Sequence, residues 1–149
     1  MDELQRLLNK VLADTFVLAL KTQNVHWNVE DPDFYAYHKF TQEMYEELFG
    51  AVDPIAEHVR SIDGYAVGSL GQYLQLTSIS EFVVTPSPAA AFSQLLLDHQ
   101  KVINVLMETF HMAEKFMEHG LSNFLQDRMD AHKKHMWMLR ATVKKAEEE

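Results

Sequence analysis

The sequence predicts an all-α fold: a four-helix bundle with a short helix in the long crossover between its second and third long helices. Three observations carry this. Apolar residues recur at three- and four-residue spacing over four stretches of about 25 residues each. No stretch keeps the two-residue alternation of a half-buried strand. A glycine-marked segment too long for a bare loop divides the four stretches into two pairs.

The first helix is read from Leu4, Leu7, Leu8, Val11, Leu12, Thr15, Phe16, Leu18 and Ala19, and runs to about Val29. Glu30-Asp31-Pro32-Asp33 then turns the chain. Pro32 disfavours helical backbone at Asp31, and Asp31 or Asp33 can cap the next helix. That second helix is predicted from Phe34 to Ile62, with Tyr37/His38, Thr41, Met44/Tyr45, Leu48, Val52, Ile55/Ala56 and Val59 facing inward. Pro54 removes one helical hydrogen bond, so a kink or break near Gly50 is the expected local cost. The apolar phase survives the proline, which favours one element.

Gly64, Gly68 and Gly71 open the crossover, which lasts to about Pro88. Tyr73, Leu74, Leu76 and Ile79 are read as a short helix packed over the bundle, in a link that joins parallel helices. Ser87-Pro88 starts the third helix, a cap followed by proline in the first turn. Its stripe is Phe92, Leu95/Leu96, His99, Val102/Ile103, Leu106, Phe110, Ala113 and Met117, with Gly120 as the predicted terminator. Ser122 is the predicted cap of the fourth helix, whose stripe is Leu125, Met129, His132, Met136 and Leu139.

At 149 residues the chain is read as one domain, residues 1–149, able to bury a core without staples. It has no cysteine, which excludes disulfides, thiolate metal sites and cysteine nucleophiles. No basic, apolar leader opens it and no run approaches a membrane span, so a cytoplasmic location is expected. A formal charge of −9, from 13 basic and 22 acidic side chains, attracts cations and argues against DNA binding by the bulk surface. The tail, Lys144-Lys145-Ala146-Glu147-Glu148-Glu149, is too mixed to form a basic patch.

The candidate chemistry lies between residues 26 and 57, where His26, His38, Asp53 and Glu57 interrupt amphipathic helix. Two imidazoles and two carboxylates suit a divalent metal, iron or zinc first. His26 closes one helix and His38 begins the next, so a tight hairpin brings them together. Asp53 and Glu57, four apart, share a helix face beside apolar positions, where burial would cost several kcal/mol without a cation. His38 and Asp53 share a helix, and fifteen residues place them roughly 22 Å apart. One chain cannot bring both ends to one ion, whereas two antiparallel copies about a two-fold axis can. Each group also has a plainer reading: core imidazole, cap or surface histidine, salt bridge or solvated acidic face.

The run HWNVEDPDFYAYHKFTQEMYEELFGAVDPIAEHVR, from His26 to Arg60, closely resembles the signature of the Dps-type mini-ferritins, a ferritin-like family. HKKHMWMLRA, from His132, resembles that family's last helix, and the likeness spans nearly the whole chain. The resemblance implies a hollow twelve-subunit shell that oxidises Fe2+ to Fe3+, with hydrogen peroxide preferred to oxygen, and stores the ferric mineral inside. It implies that His26 and His38 of one subunit meet Asp53 and Glu57 of its two-fold mate, with zinc able to compete for the site. Trp27 resembles a site-adjacent tryptophan that intercepts radicals, or else packs an interface.

Two positions depart from the pattern. Gln42 stands where the family commonly has an acid and is a weaker, uncharged iron ligand. His58 stands where arginine is usual and is expected to act behind the ligands or at the interface. Gln42 therefore keeps an alternative open, a metal-binding or structural shell with weak or no ferroxidase activity. With no basic arm before Leu4, direct DNA condensation is not expected.

Overall fold

The computed structural model describes residues 1–148 and their side chains as far as Lys144; the charge-mixed tail beyond lies outside the described side chains. Among the described residues the chain forms α1 (Asp2–Asn28), α2 (Phe34–Ser61), α3 (Leu70–Leu76), α4 (Pro88–Lys115) and α5 (His119–Glu148), with no strand. The hairpins α1–α2 and α4–α5 pack on each other chiefly through α1 and α4, and α3 lies along α1. This is the all-helical bundle, with a short helix in its long crossover, that the apolar spacing predicts.

Each junction has a local cause. Between α1 and α2, Asp31 Oδ1 accepts from the Asp33 amide at 2.9 Å, while Asp33 takes the cap position without a side-chain cap bond. Asp31 therefore shapes the turn and Asp33 occupies the cap. α2 runs unbroken through Pro54, which sits on the exposed face, and the break expected near Gly50 is absent. At its end Asp63 adopts φ 65°, and the Gly64 amide donates to the Val59 carbonyl at 3.0 Å. A Cβ on Gly64 would stand 3.0 Å from both Gln5 Cγ and Val59 Cγ1, so glycine permits the close approach to α1.

The last turn corrects two expectations. α4 ends at Lys115, not Gly120, and α5 already begins at His119, so Ser122 lies inside the helix rather than capping it. Met117, exposed and at φ 58°, makes the reversal, with the Glu118 amide closing on the Ala113 carbonyl at 2.9 Å. Non-glycine left-handed backbone is uncommon, and three closely spaced backbone bonds compensate it here: Phe116 to Met112, Met117 to Glu114 and Glu118 to Ala113.

The crossover is held by polar side chains along α1. Gln5 donates to Ile62 O, Asn9 bonds Tyr65 O and the Val67 amide, and Asn24 bonds Phe82 O and Thr85. Asp14, fully buried, accepts from the Thr77 hydroxyl at 2.7 Å and from both the amide and hydroxyl of Ser78. Tyr73 and Ile79 turn inward, while Leu74 stays exposed.

Leucine is the commonest core residue, with Leu4, Leu8, Leu12, Leu48, Leu95, Leu106 and Leu125 excluded from water. Each contributes about 1.5–3 kcal/mol of apolar burial. Phe92 is buried with the rings of Tyr37 and Phe40 edge-on, at 5.0 and 6.0 Å. Lys21 and Asp98 form a fully buried ion pair at 2.7 Å that joins α1 to α4. Among the described residues, no helix is long and apolar enough to cross a membrane.

Candidate metal centre

His26 lies in the last turn of α1, where helical carbonyls lack intrahelical partners. His38 lies early in α2 and supplies the missing donor. Its Nδ1 is 2.8 Å from the His26 carbonyl oxygen, and His26 Nδ1 is 2.7 Å from the His38 carbonyl oxygen. A carbonyl only accepts, so each Nδ1 carries a proton and Nε2 is the nitrogen left for another partner. The rings stack at 3.7 Å and 15°, with Phe34 over His38 and Tyr45 edge-on to His26. His26 is buried and His38 half-buried. The hairpin thus fixes Nδ1 of both rings as the hydrogen-bonded nitrogen and leaves Nε2 as the one that could face a metal.

Asp53 and Glu57 lie one turn apart further along α2, both exposed in the single chain. The burial cost expected for them therefore does not arise here. Their carboxyls are close enough to bond, and the bond and charge of Asp53 push Glu57 above the usual carboxylate range. Two carboxyls one turn apart repel when both are charged, and a cation between them would relieve that.

The two pairs do not meet within one chain. Among the described residues, no group of three or more His, Asp or Glu side chains is placed to hold one ion. The unbroken α2 keeps the imidazoles and carboxylates roughly 22 Å apart at 1.5 Å per residue.

Gln42, half-buried one turn after His38, donates to Glu46 Oε1 at 2.9 Å. His58 turns toward α5 and lies 4.3 Å from the Phe124 ring, and burial lowers its pKa. Leu20, Trp27, Phe34 and Tyr35 remain 40 to 72% exposed where α1 ends and α2 begins, leaving an apolar face beside the histidine pair. Sequence reasoning finds the two histidines and their proximity; the reciprocal backbone bonds have no signature in spacing.

The description "Ferritin-like domain" matches residues 5–148. The chain is 36% identical over 139 residues to a low temperature-induced protein of Nostoc sp., covering 92% of this chain and 78% of that one. It is 31% identical to DNA protection during starvation protein 2 of Bacillus anthracis, over 90% of this chain and 92% of the relative. Its structure is similar to that of a Dps protein from Bacillus brevis, with a TM-score of 0.92 at 31% identity and 95% of each chain covered.

Proposed function

We propose, from the premise that this chain belongs to the ferritin-like family and within it to the Dps-type mini-ferritins, that it is an iron-storing ferroxidase. The chain is one ferritin-like domain over residues 1–149, working in the cytoplasm as a homo-oligomeric shell of twelve subunits. His26 and His38 of one subunit and Asp53 and Glu57 of its two-fold mate bind ferrous iron as substrate. One observation carries this: both histidines engage backbone carbonyls through Nδ1 and leave Nε2 for a metal, while the carboxylate pair stands on the helix of His38 roughly 22 Å away, out of reach. Two complete sites form when two such helices pair antiparallel, and the exposed apolar residues beside the histidines supply part of that contact.

Hydrogen peroxide is the preferred oxidant. Two ferrous ions give one electron each, the O–O bond breaks, and two protons complete two waters, so no hydroxyl radical is released. The imidazoles bring nitrogen donors, and the carboxylates of Asp53 and Glu57 compensate the charge of the cation. The ferric product is stored as mineral inside the shell. Zinc competes for the same ligands and slows turnover. Protection of DNA follows from removing iron and peroxide rather than from DNA binding.

A second reading is a metal-binding or structural shell with weak or no turnover. Gln42 favours it, because its amide is committed to Glu46 and brings no charge to the site. Turnover separates the two. Anaerobic Fe(II) followed by stoichiometric peroxide is expected to give fast ferric absorbance with wild type and not with the double variant Asp53→Asn, Glu57→Gln. Equal rates in wild type, variant and protein-free buffer would overturn the enzyme assignment.

A further inference from the structure

The largest polar feature outside that site lies inside the bundle. Glu47 of α2 accepts from both terminal nitrogens of Arg128 and lies 2.9 Å from His135 Nε2, both on α5. Behind them His99 of α4 and His132 of α5, each wholly excluded from water, meet Nδ1 to Nδ1 at 2.8 Å. The His99 and His135 rings are 5.2 Å apart, so one polar line joins α2, α4 and α5. A cleft between α2 and α5, bordered by Met44, Glu47, Lys134 and His135, opens on its outer end.

A bond between two Nδ1 atoms uses a single proton: one imidazole donates, the other accepts, and both are neutral. Neither has room for another. The neutral acceptor already carries its proton on a buried, unpartnered Nε2; a second proton at its Nδ1 sets two N–H groups face to face, and one at the donor's Nε2 adds a second buried N–H without a partner. No spare negative charge among the described residues faces the pair. On α2, Glu47 is shared by Arg128 and His135 of α5; on α4, Asp98 is paired with Lys21 of α1. The same balance argues against a metal ion there.

We propose that the His99–His132 pair is an acid-sensitive latch: neutral, it holds α5 to α4 and, through His135 and Glu47, to α2; protonated, it releases α5. Burial, then the neighbouring His135 and Arg128, holds His99 well below its ordinary value; burial, then His99 and Arg128, does the same for His132. Free imidazoles titrate near pH 6.5. Above that pH the closed state bears no penalty. Below it the open state binds up to two more protons, so opening is increasingly favoured, approaching about 100-fold per pH unit, until the depressed values are reached. The latch is independent of the iron chemistry proposed above.

Hydrogen exchange of α5 amides in the full-length assembled protein, corrected for intrinsic rates, tests this between about pH 7.5 and about pH 5.5. Wild-type α5 is expected to lose protection about 100-fold between the two pH values. The double variant His99→Gln, His132→Gln is expected to lose it no faster than α1. Parallel loss in both proteins, or wild-type α5 equally protected at both pH values, would overturn the latch. Imidazole 15N spectra of the wild type need no variant to fold: both rings are expected to stay neutral while α5 is closed, and a ring that charges near pH 6.5 in the closed state would overturn it.

Discussion

His26 and His38 each donate from Nδ1 to the other's backbone carbonyl, at 2.7 and 2.8 Å. The bonds that close the α1–α2 hairpin are therefore the same bonds that select the tautomer of both imidazoles. Stability at this corner and ligand geometry are coupled.

Replacing His26 by alanine removes one donor and leaves the His38 carbonyl with weaker partners. The expected cost is about 1–3 kcal/mol, together with loss of ferrous binding. Denaturant unfolding and anaerobic calorimetry read the two effects. Ferrous binding that survives the substitution would remove His26 from the site.

Gln42→Asp is expected to raise ferrous affinity, on the order of tenfold, by adding a charge beside His38. Without metal it sets two acids one turn apart, because Glu46 loses its hydrogen-bond donor and gains a repelling neighbour, at about 0.2–0.5 kcal/mol. Initial rates of ferric absorbance and a metal-free melt check both halves. An unchanged rate would show that Gln42 does not limit the site.

Lys21→Met leaves Asp98 buried beside an apolar side chain, with an expected loss of roughly 3–5 kcal/mol. Adding Asp98→Leu is expected to restore most of it, because the isolated charge and not the missing attraction dominates. Urea unfolding of the single and double variants decides. A double variant as unstable as the single would mean that the Lys21 bond to Ser80 O matters more.

Glu47 sets a separate acid limb. Burial raises its pKa, but the bonds from His135 and Arg128 and their charge outweigh burial and bring it down to about 2. A depressed carboxylate stabilises above its unfolded value and loses that contribution as pH falls through the folded value. Glu47→Gln is therefore expected to lower stability at neutral pH and to flatten the decline between about pH 4.5 and about pH 2. Stability curves over that window, below the histidine range, test it.

The helices are legible in the sequence because apolar spacing is local information. So is continuity through Pro54, whose missing amide faces solvent on an exposed turn. Gly120 misleads because the α4–α5 reversal uses Met117 instead, where neighbouring backbone bonds and an exposed side chain tolerate left-handed geometry. His99 and His132 fit their apolar stripes by position, but nothing near either one announces a partner 33 residues away. Asp53 and Glu57 flank apolar positions, a pattern that predicts burial, yet α2 turns them to solvent in the isolated chain.

The side chains that hold the crossover also impose an order of assembly. Gln5, Asn9, Asp14, Lys21 and Asn24 bond to residues 56 to 64 positions away, whereas each hairpin closes through a few residues. Loop-closure entropy lets the hairpins form first, and the crossover can dock only on an α1 that is already helical. If its contacts form after the rate-limiting step, they act mainly on how slowly the chain comes apart. A weakened Asp14 anchor would shorten the lifetime of the folded subunit while leaving its rate of formation nearly unchanged.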